Sequence, residues 1–344
     1  MTWLERYGPQ LARDGHVLAD LMNGRERLAL LPTPMHPAPR LSAALGKDVW
    51  LKRDDLTGVG LGGNKIRKLE LLAADARRQG ADMLVSVGAA QSNHARTVAA
   101  VAAMLGMGCE LVLGGRPPAS PSGNLVLDVI LGARLHFAGT SDWAGLDAST
   151  RAVAAAASAR GASPYLMPVG GSVPLGAAAF AAAYLELRAQ CQAAGLRPAA
   201  IVHASSSAGT QAGLELGRYL AGDDVRIVGV DVAKITGSLA DEVSRLIRGT
   251  AELLGVPGPA AGPHVLDGYL GAGYAIPSEG GDRALRLLAR TEGVMADPVY
   301  TAKALHAVCE ETFGGPVVFW HTGGAPALFS AESGLTQWPE GTER

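Results

Sequence analysis

The chain has 344 residues, enough for about two domains of ordinary size, and 48% of them are hydrophobic, which excludes global disorder. Thirty Lys and Arg stand against 32 Asp and Glu, a net charge of −2, so the basic face that a nucleic acid or an anionic membrane demands is missing. No apolar run approaches the roughly 20 residues of a membrane span, no secretory signal is legible, and Cys109, Cys191 and Cys309 are scattered without a CxxC pair; a reducing cytoplasm and no metal are expected.

The first 30 residues are charged and helix-like, stop at Pro32-Thr33-Pro34, and read as a peripheral extension. Short apolar runs then recur at Val49–Lys52, Met83–Val87, Glu110–Leu113, Arg134–Phe137, Pro164–Met167, Ala200–His203, Ile227–Val232 and Val317–Trp320, as buried parallel strands do. Between them fall helical stretches at Lys65–Arg78, Ser92–Leu105, Asn124–Leu131, Ser149–Ala159, Leu175–Ala193, Gln211–Leu220, Ser238–Leu254, Gly280–Arg290 and Thr301–Glu311. This alternation predicts α/β layers with parallel sheets, their strand C-terminal ends and following loops on one side.

Glycine makes up 45 of 344 residues, against an average of about 7%, and clusters at the ends of apolar runs, where backbone approaches ligands. Gly58-Val59-Gly60-Leu61-Gly62-Gly63 matches GxGxxG in form, but four residues separate it from its strand. Asn64-Lys65-Ile66 stands where a phosphate loop needs GK[ST], so neither nucleotide motif holds. What remains is a glycine loop delivering Lys65 to a helix N-terminus. There it is either a solvated lysine or an amine whose pKa falls through burial and the helix dipole, able to form a Schiff base. Gln91-Ser92-Asn93-His94 follows a strand and opens a helix: Ser92 suits an N-cap, yet so polar a run at a strand end suits a site better, and His94 has no role assigned by spacing. Ser205 to Thr210, between a buried strand and a helix, offers hydroxyls and backbone N–H groups as a phosphate cup without an acidic residue. Asp297-Pro298-Val299-Tyr300-Thr301 precedes a helix, where Tyr300 alone reads as packing, and His321-Thr322-Gly323-Gly324 at a strand end marks one more ligand-facing loop.

Taken in order, GGNKIRKLE, QSNHAR, SSSAGTQAGL, DPVYTAKA and HTGG resemble the pyridoxal-phosphate enzymes of the D-cysteine desulfhydrase and 1-aminocyclopropane-1-carboxylate deaminase family, of the tryptophan-synthase-β-like fold type, from about Leu31 to Phe329. The resemblance implies an α/β fold of two open, twisted, mostly parallel sheet domains. The large one would comprise residues 1–65 and 171–344, with the small one, 66–170, inserted in it and the cofactor in the cleft between. It implies pyridoxal 5′-phosphate joined to Lys65 and its phosphate held by Ser207, Ala208, Gly209 and Thr210 with help from Lys68. Asn93 would hold the ring 3-oxygen, Ser92 would assist near the substrate or the lysine, and Tyr300 and Tyr274 would be the two active-site tyrosines. Deaminases of this family carry Glu and Leu where this chain has Thr301 and Thr322, so it resembles the desulfhydrases: a threonine hydroxyl at the pyridine nitrogen makes a milder electron sink, sufficient for a good β-leaving group. The implied enzyme is a lyase and homodimer acting on a small amino acid by α,β-elimination, with D-cysteine the first expectation. The alternatives are the cyclopropane deaminase, an L-cysteate-type sulfo-lyase or other lyase for β-substituted D-amino acids, and a non-catalytic binding relative, which the intact Lys65 opposes.

Overall fold

A computed structural model describes residues 2–234 and 237–333. Ten strands form two sheets. Numbered along the chain, they are β1 (Met35–Pro37), β2 (Val49–Arg53), β3 (Met83–Gly88), β4 (Gly108–Leu113), β5 (Arg134–Phe137), β6 (Pro164–Met167), β7 (Ala200–Ser205), β8 (Arg226–Asp231), β9 (His264–Leu266) and β10 (Val317–His321). The larger sheet runs β1-β2-β10-β7-β8-β9 and the smaller β5-β4-β3-β6. Every pairing is parallel except β1 with β2, where Met35 lies opposite Lys52.

The strands are apolar throughout because both faces are covered. Along β10, Val318 and Trp320 enter one core beside Phe180 and Leu214, while Val317 and Phe319 enter the other beside Leu285 and Leu305. The smaller sheet repeats the pattern, with Leu111 and Leu113 packed against Leu69 and Val98, and Val112 against Leu146 on the opposite face. The helix Lys65–Arg78 ties the two sheets together, sending Leu69 and Leu72 into the smaller core and Leu71 into the larger. Among the described residues no helix is long and apolar enough to cross a membrane.

All eight expected strands and nine expected helices are present. The edge strands β1 and β9, three residues each, are too short to leave a periodic signal. The helix expected from Ser149 begins at Trp143 instead, because the Asp142 carboxylate caps it by accepting from the Gly145 N–H at 2.8 Å. The N-terminal extension also needs correction. Its helices Trp3–Tyr7 and His16–Asn23 place Trp3, Tyr7, Leu18 and Met22 in the core against the helix Pro174–Ala193, so these residues are part of the body of the protein.

Candidate active site

Parallel pairing carries β2, β7 and β10 to the same edge of the larger sheet, and a cleft opens there opposite the end of β3. The loop after β2 is packed into the turn after β10: the Asn64 N–H donates to the Thr322 carbonyl at 2.9 Å, and the Gly63 N–H to the Asp54 carbonyl at 2.9 Å. Only glycine fits at position 62, since a Cβ there would lie 1.9 Å from the Asp55 carbonyl oxygen. So braced, the loop presents Lys65 as the first residue of its helix, and the Lys65 Nζ donates to Asn64 Oδ1 at 3.1 Å. Burial, with the Arg96 charge adding to it and Asp297 opposing, lowers the amine to about 8. The lowering raises the share of uncharged, nucleophilic amine near neutrality above that of an ordinary lysine.

Facing Lys65 is the turn from β7 into the 13-residue helix Gly209–Ala221. Ala208 takes the left-handed region at φ +66°, which turns the chain so that the helix N-terminus opens toward the cleft. A Cβ on Gly209 would stand 2.7 Å from Ser172 Oγ and 2.9 Å from Lys68 Nζ, so bare backbone is required there. Ser207 and Ser172 share a hydrogen bond of 2.8 Å, and Thr210 Oγ1 accepts from Asn64 Nδ2 at 3.0 Å. Lys68, only 1% exposed, donates to the Gly170 carbonyl at 3.0 Å and meets no carboxylate among the described residues; burial and the nearby Lys65 hold its amine well below the usual lysine range. Two desolvated amines, a helix N-terminus and a ring of hydroxyls, with no acidic side chain among the described residues that line the cleft, form a donor set that wants an anion.

Ser92 and Asn93 line the same cleft from the start of the helix Asn93–Leu105. Ser92 is both things the sequence allowed: its hydroxyl caps that helix, accepting from the Ala95 N–H at 3.1 Å, and it sits on the wall. His94 also borders the cleft, driven by burial and the charges of Lys65 and Lys68 to about 3, and is therefore neutral. On the open side the Tyr274 and Tyr300 hydroxyls lie 2.5 Å apart with their rings edge to face. Burial holds both phenols above their ordinary value, so the pair remains protonated.

The cleft thus gathers Lys65, Ser92, Asn93, Ser207, Ala208, Thr210, Tyr274, Tyr300 and Thr322, with Gly209 and Lys68 directly behind the cup. Thr301 behaves differently from its expectation. It is fully buried, and its hydroxyl donates to Asp297 Oδ1 at 2.6 Å while accepting from the Asp297 N–H at 2.7 Å, which leaves nothing to offer a ring nitrogen. Asp297 in turn accepts from the N–H groups of Val299, Tyr300 and Thr301 and thereby sets the turn that carries Tyr300. His321 is likewise structural: its Nδ1 accepts from the Gly323 N–H at 3.1 Å, so Nε2 donates to the Met295 carbonyl at 3.0 Å. Trp143, at the opposite wall, was not found from the sequence; a lone aromatic in a loop-to-helix junction leaves no signal there.

A family model described as pyridoxal-phosphate dependent enzyme matches residues 27–323. The chain belongs to this family. Among curated family members, D-cysteine desulfhydrases of Salmonella schwarzengrund (strain CVM19633) and Salmonella newport (strain SL254) are each 41% identical over 318 residues, covering 88% of this chain and 95% of theirs. A solved structure described as an ACC deaminase homologue is 36% identical with a TM-score of 0.83, covering 89% of this chain and 93% of that one. An L-serine ammonia-lyase from the fungus Rhizomucor miehei, at 19% identity and TM-score 0.64 over 88% of this chain and 96% of that one, shares the fold alone. For a pyridoxal-phosphate-dependent enzyme the anion-seeking donor set fits: the cofactor brings an aldehyde that needs a free amine and a phosphate that needs cations and N–H groups.

Proposed function

We propose that this lyase eliminates sulfide from D-cysteine, converting D-cysteine and water into pyruvate, ammonia and hydrogen sulfide. Support comes from the named relatives and, at the site itself, from a lysine amine lowered to about 8 in the same cleft as a protonated tyrosine pair: a base and an acid in one pocket. Lys65 would hold the cofactor, Ser207, Ala208, Gly209, Thr210 and Lys68 its phosphate, and Asn93 its ring, and Thr322 would also contribute to holding it. When bound, pyridoxal phosphate draws electrons away from the substrate α-carbon. Lys65 Nζ takes the α-proton, a role its lowered pKa suits. Tyr300 Oη, with Tyr274 Oη as its hydrogen-bond partner, donates a hydrogen bond to the departing sulfur; a phenol held above its ordinary pKa keeps its proton near neutrality and so remains a donor. Ser92 orients the substrate, and Trp143 shields the cleft from water.

The same reading includes the division into 1–65 with 171–344 and 66–170, supported by the confinement of β3 to β6 to the inserted stretch, and a cytoplasmic location. It also includes a homodimer, supported by the open apolar groove of Leu30, Val59, Ala100 and Met104, where Leu30 is 69% exposed. The deciding assay offers purified holoenzyme D-cysteine, L-cysteine, D-serine, L-cysteate and 1-aminocyclopropane-1-carboxylate, and measures pyruvate, sulfide and 2-oxobutyrate. Pyruvate and sulfide in equal amounts from D-cysteine are expected. Robust 2-oxobutyrate from the cyclopropane substrate, or pyruvate from the other substrates alone, overturns the assignment.

A further inference from the structure

Asn124 lies outside the cleft, fully buried at the start of the helix Asn124–Ile130. Arg96 Nε donates to its side chain at 3.2 Å, and since a guanidinium only donates, the atom facing it is the oxygen. The other end of the Asn124 amide lies 3.0 Å from the Gln91 carbonyl, which only accepts, so that end is the nitrogen. Two obligate partners on opposite ends thus allow one amide orientation. The second Asn124 Nδ2 hydrogen goes to Asn93 Oδ1 at 3.0 Å. With Oδ1 turned to Asn124, Nδ2 is the donor end of the Asn93 amide left over; among the described residues no acceptor takes a hydrogen bond from it, and Asn93 itself lines the cleft.

We infer that Asn124 is a positioning residue which, keyed by Arg96, turns the Asn93 amide so that its donors face the cofactor. A turned-over Asn93 would aim a carbonyl oxygen at whatever acceptor the cleft receives, converting an attraction into a repulsion. The same guanidinium reaches the loop carrying Lys65: its Nη1 donates to the carbonyls of Gly60 and Gly62, the latter at 2.9 Å. Gln91 completes the frame, accepting from the Asn124 N–H at 2.9 Å and donating to the Ser122 carbonyl at 3.1 Å. Arg96 and Asn124 together therefore brace both the loop that presents the amine and the donor beside it. This inference rests on the proposal that Asn93 donates to the cofactor.

The test titrates the visible cofactor absorbance of holoenzyme against pH in wild type, Asn93→Ala, Asn124→Ser and the double variant, with Asn124→Thr as substitute should the serine variant not accumulate. A donated hydrogen bond stabilises the more negative, deprotonated form of the bound chromophore, so losing it moves the midpoint upward, by about one pH unit. Asn93→Ala and Asn124→Ser are expected to produce the same rise, each with roughly ten-fold faster cofactor loss on dialysis. The double variant should rise no further, because Asn124 acts through Asn93. A purely structural Asn124 would lower thermal stability and leave the midpoint where it was; that result, or additive shifts in the double variant, overturns the relay while Asn93 keeps its role. An unmoved midpoint in Asn93→Ala removes the donor reading itself and the relay with it.

Discussion

Two pairs of cations, the buried Lys52 with Arg67 and the half-buried Lys65 with buried Lys68, have opposite surroundings. Lys52 and Arg67 both contact carboxylates. Lys52 Nζ donates to Glu186 Oε1 at 2.5 Å, to the Thr33 carbonyl and to Gln190, and Arg67 forks across Asp54 and Glu186 at 2.8 Å each. Burial alone would raise Glu186, yet Arg67 and Lys52 hold it down at about 2, and the Arg67 guanidinium is raised above its ordinary value by Asp54 and Glu186 against the pull of burial. Lys65 and Lys68, which flank Arg67 on the same helix, touch no carboxylate among the described residues; burial lowers both amines, as it also lowers Lys52 against the opposing charges of Glu186 and Asp54. The helix Lys65–Arg78 turns one face to the ion network and another to the cleft. Lys52 and Arg67, held by carboxylates, brace the scaffold, whereas Lys65 and Lys68, at and behind the cleft without one in contact, suit an anion brought from outside.

The sharpest break of this contrast is Lys65→Ala, which should abolish turnover and leave a protein lacking the yellow absorbance that borohydride bleaches; a reducible chromophore still attached to the chain would remove Lys65 from its role. Next comes Glu186→Gln, which strands Lys52 and Arg67 without a counter-charge and should cost about 3–5 kcal/mol in denaturant unfolding, with the cofactor chemistry intact in the folded fraction. Because Glu186 is held near 2 against 4.5 when free, its contribution of about 3 kcal/mol is fully present above pH 4.5 and is lost as the pH falls toward 2. Lys68→Met should act in the reverse sense: cofactor affinity falls about ten- to a hundred-fold, while the cofactor-free protein becomes no less stable in thermal melts. Its amine is lowered on folding, so the unfolded chain binds the extra proton, and the cofactor-free wild type should gain stability as the pH rises toward 10.5, a slope that Lys68→Met flattens. Destabilisation of the cofactor-free protein by Lys68→Met would erase the contrast. The smallest effect is expected from Thr210→Val, which removes one hydroxyl from the cup and the acceptor of the Asn64 amide, and should weaken cofactor retention on dialysis about ten-fold without changing the melting temperature by more than a few degrees.

Much of the cleft was legible because its parts are local. Gly62-Gly63-Asn64-Lys65, Ser92-Asn93, Ser207 to Thr210 and Thr322 each follow an apolar strand, and polar or glycine residues at that place in a parallel sheet have few other uses. Tyr274 was legible only by resemblance, since it lies in the loop after β9, a strand of three residues too short to mark a strand end in the sequence, and Trp143 was not legible at all. The Thr301 hydroxyl was read correctly as a donor and assigned to the wrong partner: Asp297, four residues earlier, closes onto it once the turn before the helix forms.

The sequence by itself determined the alternation of strands and helices, the parallel pairing it demands, and the polar clusters at strand ends that come to line one cleft, because burial periodicity and strand-end chemistry are written in neighbouring residues. The tertiary structure alone decided which charges are compensated. Lys52 and Lys68 are equally buried lysines in one chain, and what separates a scaffold cation from an anion-seeking one is Glu186, more than a hundred residues away, reaching the first and not the second. Electrostatic compensation depends on distance through space, and no local pattern in the chain encodes it.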